Sequence, residues 1–306
     1  MKNNNRHLCC YLSGKVYYGS LAIALLSITV GIISYTRQVR IPQSDIWTSI
    51  VQFPVLDPML LYVLSFVFVF IYWYLAHYDF ENKRKLLVSL AIFGFLGVSW
   101  TFIEYYLIES IWLKPALNYI RPEEGVLDHP LISKWVSSQI LGSSSPESTG
   151  APSGFVLRQL FVTLFGLSIL SGRKRRKLGR SAFGVFLILT LAWVIFSRVY
   201  LRHHFLFDAM LAVGIGTIIF WIGFLPGNAL RLWFYSKFFS KINESKTRCW
   251  RLLADRSKSL VPFYLIVVLI TFVISGDSAM WGILIPGLLL LVGLTLKFSR
   301  AQLRKG

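Results

Sequence analysis

Charge is scarce in this chain, and acid is scarcer: 15% of its 306 residues are charged, with 14 Asp and Glu against 32 Lys and Arg. A soluble domain carries about a quarter charged residues. A composition 55% hydrophobic and 16% aromatic reads instead as a membrane protein. Cysteine is nearly absent. Cys9, Cys10 and Cys249 lack metal-ligand spacing and imply no disulfide framework. The juxtamembrane pair Cys9-Cys10 is a candidate for acylation, but plain thiols are the preferred reading. No small-residue cleavage pattern follows the first apolar run, which is therefore expected to remain as an anchor. There is no internal repeat.

Apolar sequence is abundant, and it comes in runs. Crossing about 30 Å of hydrocarbon at about 1.5 Å per residue takes roughly 20 residues. Eight runs reach or approach that length: 17–35, 59–78, 86–108, 155–171, 181–196, 205–225, 260–275 and 280–298. The fifth is short, and the last two are separated by a tight turn. The expected fold is an all-α polytopic membrane protein, a six-helix transmembrane core followed by a C-terminal two-helix hairpin. The expected organisation is an N-terminal anchor and external loop (1–58), a core (59–225, completed by the first span), a basic interfacial segment (226–259) and the hairpin with its basic tail (260–306).

A net charge of +18 raises the question of nucleic acid, and the location of the charge answers it. Of the 32 Lys and Arg, 24 fall in five segments: before span one, between spans two and three, between spans four and five, from Arg231 to Lys258, and from Lys297 to Lys305 at the end of span eight and beyond. If every run crosses once, all five lie on one side, and the positive-inside rule makes that side cytoplasmic. The expectation is an integral protein of the plasma (inner) membrane with both termini cytoplasmic. Anionic lipid headgroups at the cytoplasmic face are the expected contact, and nucleic acid is not. Leu230, Trp233, Phe234 and Phe238 recur at helical spacing beside Arg231, Lys237 and Lys241, which suits either an interfacial helix or a solvated linker.

Three polar clusters fall on the opposite face, which is otherwise poor in positive charge. Lys114 and Arg121 are two helical turns apart, so both cations point the same way if Pro115 opens a short helix. Pro152-Ser153-Gly154 immediately precedes span four, where a hydroxyl and the N–H groups of a helix start can cradle an anion. Ser197 to Asp208 joins spans five and six and gathers Arg198, Arg202, His203, His204 and Asp208. With a helix starting near His203, His204 and Asp208 stand four residues apart on one face, where a carboxylate holds an imidazole in one tautomer. Interfacial snorkelling explains any one of these cations, but not three clusters on the poorer face. Glu104, within span three, is a candidate partner for Arg158 at similar depth.

These residues resemble the motifs of the type 2 phosphatidic acid phosphatase superfamily of integral membrane lipid phosphatases. Its first motif, Lys, six residues, Arg-Pro, is matched by Lys114 and Arg121-Pro122. Its third, Ser-Arg, five residues, His, three residues, Asp, is matched by Ser197-Arg198, His204 and Asp208. The resemblance covers about 59–225. It implies that Lys114, Arg121, Ser153, Gly154 and Arg198 bind phosphoryl oxygens, that His204 is the nucleophile forming a phosphohistidine, and that Asp208 supports it. It implies no cofactor and no metal, because Lys and Arg neutralise the developing charge. The second motif departs: the family has Pro-Ser-Gly-His, and this chain has Pro152-Ser153-Gly154-Phe155. That His is the general acid for the leaving oxygen, and Phe155 donates no proton. His129 and His203 are candidate replacements, though the preferred reading of each is an ordinary loop or interfacial histidine.

A weakly basic leaving group needs protonation less. The expected substrate is therefore a membrane lipid phosphate or, better, a diphosphate of polyprenyl or lipid A type, with hydrolysis or transfer to another lipid as the outcome. The alternative is a non-catalytic lipid-phosphate binding or scaffold protein. A transporter is less favoured, because the charged groups cluster at one face rather than along a midplane path.

Overall fold

The computed structural model describes residues 14–37, 41–77, 153–170, 177–238, 252–253 and 255–265. Among them there is helix and no strand: α1 (Gly14–Arg37), α2 (Asp45–Val51), a 3₁₀ turn (Pro54–Leu56), α3 (Pro58–His77), α4 (Gly154–Leu170), α5 (Lys177–Tyr200) and α6 (Leu206–Phe238). A further helical stretch covers 255–265. Gly14–Tyr35, Ser181–Tyr200 and Leu206–Leu225 are long and apolar enough to cross a membrane, and Pro58–Tyr72 and Gly154–Leu170 are shorter apolar helices. The protein is an all-helical membrane protein. The third and eighth expected spans and most of the seventh lie outside the described residues.

A helix that is apolar all round belongs in the interior, and α6 is the buried centre. Ala209, Leu211, Ala212, Ile215, Ile218 and Trp221 have no exposed surface. Two glycines two residues apart, about 200° around the helix, let neighbours approach on opposite sides. A Cβ on Gly214 would lie 2.4 Å from Ile28 Cγ1 of α1, and one on Gly216 would lie 2.5 Å from Leu157 Cδ2 of α4. α1 presents Tyr17, Leu21, Ala24 and Ile28 as a buried stripe and leaves Ile23, Leu26 and Ile33 exposed, as lipid-facing residues are.

Cross-helix pairs fix the directions. Tyr17 packs on Trp221 and Tyr35 on Phe207, so α1 runs antiparallel to α6. Phe161 meets Phe220 and Phe165 meets Phe224, so α4 runs parallel to α6. Phe68 meets Phe186 and Tyr72 meets Phe183, so α3 opposes α5. The starts of α3, α4 and α6 and the ends of α1 and α5 therefore share one end of the bundle.

Midway along, Gln159 of α4 donates from Nε2 to Ser65 Oγ of α3 at 3.0 Å and to Thr190 Oγ1 of α5 at 2.8 Å. Thr163 Oγ1 adds a bond to the Leu187 carbonyl at 3.2 Å. Away from water these bonds have no solvent competitor, and they tie three helices together. Above them, Asp57 caps α3: its Oδ1 accepts the Met59 N–H at 2.8 Å, with Pro58 at the first helical position.

Two helices outrun their apolar segments. α5 begins at Lys177, so the short fifth run is the membrane part of a 24-residue helix. α6 continues past Leu225 and Pro226 to Phe238, so 226–238 prolong the sixth span rather than starting a separate element. At the bundle end away from Phe207, stretch 255–265 docks on α1. Tyr17 Oη donates to the Arg256 carbonyl at 2.8 Å, and the Arg256 guanidinium lies over the Tyr17 and Tyr18 rings at 4.9 and 4.4 Å.

Candidate active site

The turn between α5 and α6 is short and heavily bonded. The Leu201 N–H reaches the Ser197 carbonyl at 2.9 Å, and the Arg202 N–H reaches Val199 at 3.1 Å. Arg202 then takes φ 56°, the left-handed conformation that stops a helix and that a residue with a Cβ adopts at some cost. The reversal brings the His204 N–H to the Arg198 carbonyl at 3.3 Å, pinning the histidine over the last turn of α5. This is the structural content of the spacing Ser197-Arg198, His204, Asp208.

Helix α6 starts at Leu206, three residues later than a start near His203. Asp208 is thus in its first turn, and Oδ2 reaches back to accept the Phe205 N–H at 2.9 Å, half of a capping box. The same oxygen stands 3.7 Å from His204 Nδ1, within ion-pair range but longer than a hydrogen bond. Asp208 has no exposed surface and His204 is 3% exposed. One carboxylate oxygen thus secures the helix start and faces the imidazole.

The second cluster opens α4. The Leu157 N–H bonds the Ser153 carbonyl at 3.0 Å, so the N–H groups before it have no intrahelical acceptor. Ser153 is fully buried, and its Oγ has no hydrogen-bond partner among the described residues. Gly154 adds no side chain to this cradle. Phe155, buried, supplies the link to the third cluster: the Arg198 guanidinium carbon lies 4.7 Å from its ring centroid. Arg158, one turn further along α4, lies 5.6 Å from the same centroid. The structure thus brings together Ser153, Gly154 and Phe155 of one cluster with Arg198, His204 and Asp208 of another, at the end shared by the starts of α4 and α6. His203 is buried in the same turn.

Lys114, Arg121, Pro122, His129 and Glu104 lie outside the described residues. Sequence reasoning treated Arg158 only as a partner for Glu104 and missed its place on the Phe155 ring. The signal was there in the spacing of three, which stacks two side chains on one helix face. Among the described residues no three His, Cys, Asp or Glu side chains converge as metal ligands would.

The family model of the PAP2 superfamily matches residues 101–232, a segment that contains all three clusters. The match supports membership of this segment in the type 2 phosphatidic acid phosphatase superfamily. A comparison with curated proteins found no match, and neither did a comparison with solved structures. The match and the helical fold point to a class: a helical membrane protein similar, over 101–232, to a superfamily whose members are generally phosphatases acting on phosphate esters.

Proposed function

We propose that the protein is a metal-independent lipid phosphatase or phosphotransferase that acts on a lipid diphosphate at the extracytoplasmic face. The observation that carries this reading is Phe155. It occupies the position of the family's general acid, yet it is packed against Arg198 beside the His204–Asp208 pair. In this reading Arg198 is the cation, His204 is the nucleophile, and position 155 supplies no proton donor.

In the proposed reaction Asp208 holds the Nδ1 side of His204, leaving Nε2 to attack the terminal phosphorus. A bond forms between Nε2 and phosphorus while the bridging P–O bond breaks, and the electron pair leaves with the lipid monophosphate. Water, or a lipid hydroxyl in the transferase case, then attacks the phosphohistidine. The N–P bond breaks and its electron pair returns to the imidazole, the proton of the attacking oxygen passes to a phosphoryl oxygen, and inorganic phosphate or a phosphorylated lipid is the product. Lys114, Arg121, Ser153, Gly154 and Arg198 are assigned to the phosphoryl oxygens, where fixed positive charge and N–H groups stabilise the transferring group. A lipid monophosphate is a much weaker base than an alkoxide, so the diphosphate tolerates Phe155 where phosphatidic acid would not.

Phe155 also favours the second reading, a lipid-phosphate binding protein without turnover. Phosphate release by the purified full-length protein from a panel of lipid monophosphates and diphosphates separates the two. The expected result is release from diphosphates that His204→Ala abolishes. No release from any lipid, or release unchanged by His204→Ala, would establish the binding protein instead.

A further inference from the structure

At the end of the bundle away from His204, stretch 255–265 lies against the start of α1. Tyr17 Oη donates to the Arg256 carbonyl at 2.8 Å and shares a 3.1 Å bond with Ser259 Oγ. The Arg256 side chain does not turn to water: the residue is 7% exposed. Its guanidinium lies over the Tyr17 and Tyr18 rings and reaches the first residue of α1. A Cβ built on Gly14 would stand 2.9 Å from Arg256 Nη2 and 3.8 Å from Nη1. Among the described residues, Arg256 Nε has no hydrogen-bond partner.

Two phenol faces soften the burial of that charge, but they do not account for where it points. A helix start carries the positive end of the peptide dipoles and N–H groups without intrahelical acceptors, so a guanidinium set against it adds positive to positive. The arrangement is favourable where an anion lies between them and takes hydrogen bonds from both. The chain leading into α1 brings no acid, since residues 1–13 contain neither Asp nor Glu, and Asp255 is exposed. Depth selects the anion. Gly14 is the first residue of an apolar segment long enough to span a membrane. It therefore stands at headgroup level, where tyrosines gather and phosphate is the abundant anion.

We propose that the start of α1 and Arg256 form a binding site for a phosphate group, carried by a membrane lipid in the leaflet on that side. The headgroup bridges the first span to the stretch that follows α6 and holds the two together. The site is separate from the reaction proposed above and stands whether or not the protein turns over.

The test uses the full-length protein, delipidated in detergent and returned to nanodiscs of phosphatidylcholine with increasing phosphatidylglycerol, a diester outside the proposed phosphatase reaction. Melting followed by tryptophan fluorescence gives the half-saturating fraction of the anionic lipid. The melting temperature is expected to rise with phosphatidylglycerol, and hydrogen exchange over 255–265 to slow. Arg256→Met should raise the half-saturating fraction about tenfold, and Arg256→Lys, which keeps the charge but loses the planar fork, should fall between. Because Arg256→Met also loses the contact with Tyr17 and Tyr18, Gly14→Ala is the sharper variant. It changes no charge, its methyl displaces the guanidinium, and it too should raise the fraction about tenfold. Gly19→Ala, whose Cβ meets nothing within 4 Å, should leave it within about twofold. Lys258→Gln removes an exposed charge from the same stretch and should act more weakly than Gly14→Ala. A silent Gly14→Ala, or equal losses in Arg256→Met and Lys258→Gln, would show diffuse attraction to a basic surface and overturn the site. Inorganic phosphate added to phosphatidylcholine discs is expected to produce no shift. A shift equal to that of phosphatidylglycerol would overturn the lipid as ligand and leave a site for soluble phosphate.

Discussion

At the scale of single residues, the chemistry turns on what Phe155 and Asp208 each do twice. Phe155 removes a proton donor and supplies a surface for cations. Restoring the histidine is expected to raise monophosphate turnover far more than diphosphate turnover, because a general acid contributes roughly a hundredfold to ten-thousandfold when the leaving group is poor. Steady-state rates of Phe155→His on matched lipids decide this; an equal effect on both would refute the leaving-group argument. Asp208 caps α6 through the Phe205 N–H and faces His204 with the same oxygen. Asp208→Asn keeps an acceptor for the cap but no charge for the imidazole. It should therefore leave thermal stability near wild type while phosphate release falls by at least about tenfold. Asp208→Ala should lose the same activity and about 1 kcal/mol of stability as well. A variant pair with equal melting temperatures would show that the cap is unimportant.

At the scale of elements, close approach and capping matter more than propensity. Gly214 admits Ile28 and the Ala24 carbonyl, which a Cβ would meet at 2.4 and 3.1 Å. Gly214→Ala is expected to push α1 from α6 and cost about 1–3 kcal/mol, measured as reduced resistance to denaturant in micelles. The Tyr200 phenol ties the start of helix α2 to the end of α5: its Oη accepts the Ser44 N–H at 2.7 Å and donates to the Ser44 carbonyl at 2.8 Å. Tyr200→Phe should accelerate hydrogen exchange over 44–48 without disturbing α5, by about 1 kcal/mol of local stability. The existence of α1, α3, α4, α5 and α6 was legible in the chain because apolar runs mark spans; α2, within the expected external loop, was not. Their ends were not. Hydropathy reports where lipid stops, and α5 starts four residues before its apolar run while α6 passes through Pro226 into basic sequence. The spacing of Ser197-Arg198, His204 and Asp208 was readable as one cluster, but the left-handed Arg202 that folds it was not, since Arg carries no signal for positive φ. The meeting of Phe155 with Arg198 joins two helices, and nothing local in either encodes it.

At the scale of the whole molecule, the helix directions make a prediction about sidedness. Gln43 lies by Tyr200 at the end that holds His204, and Lys258 lies with the Tyr17–Arg256 clasp at the other. With the three natural cysteines replaced, a cysteine at 43 is expected to react with a membrane-impermeant maleimide on intact cells, and one at 258 only after permeabilisation. The reverse pattern would place the site on the cytoplasmic side.

The bonds from Gln159 to Ser65 and Thr190 lie one turn below Phe155 on the same helix. Rotating α4 by one residue step, about 100°, would part all of them and carry the phenyl ring away from Arg198 in the same movement. Angular alignment at the His204 end is thus coupled to a buried amide one turn away. A silent-looking exchange there, Gln159→Leu, would leave every motif intact on paper and misalign the contact of Phe155 with Arg198.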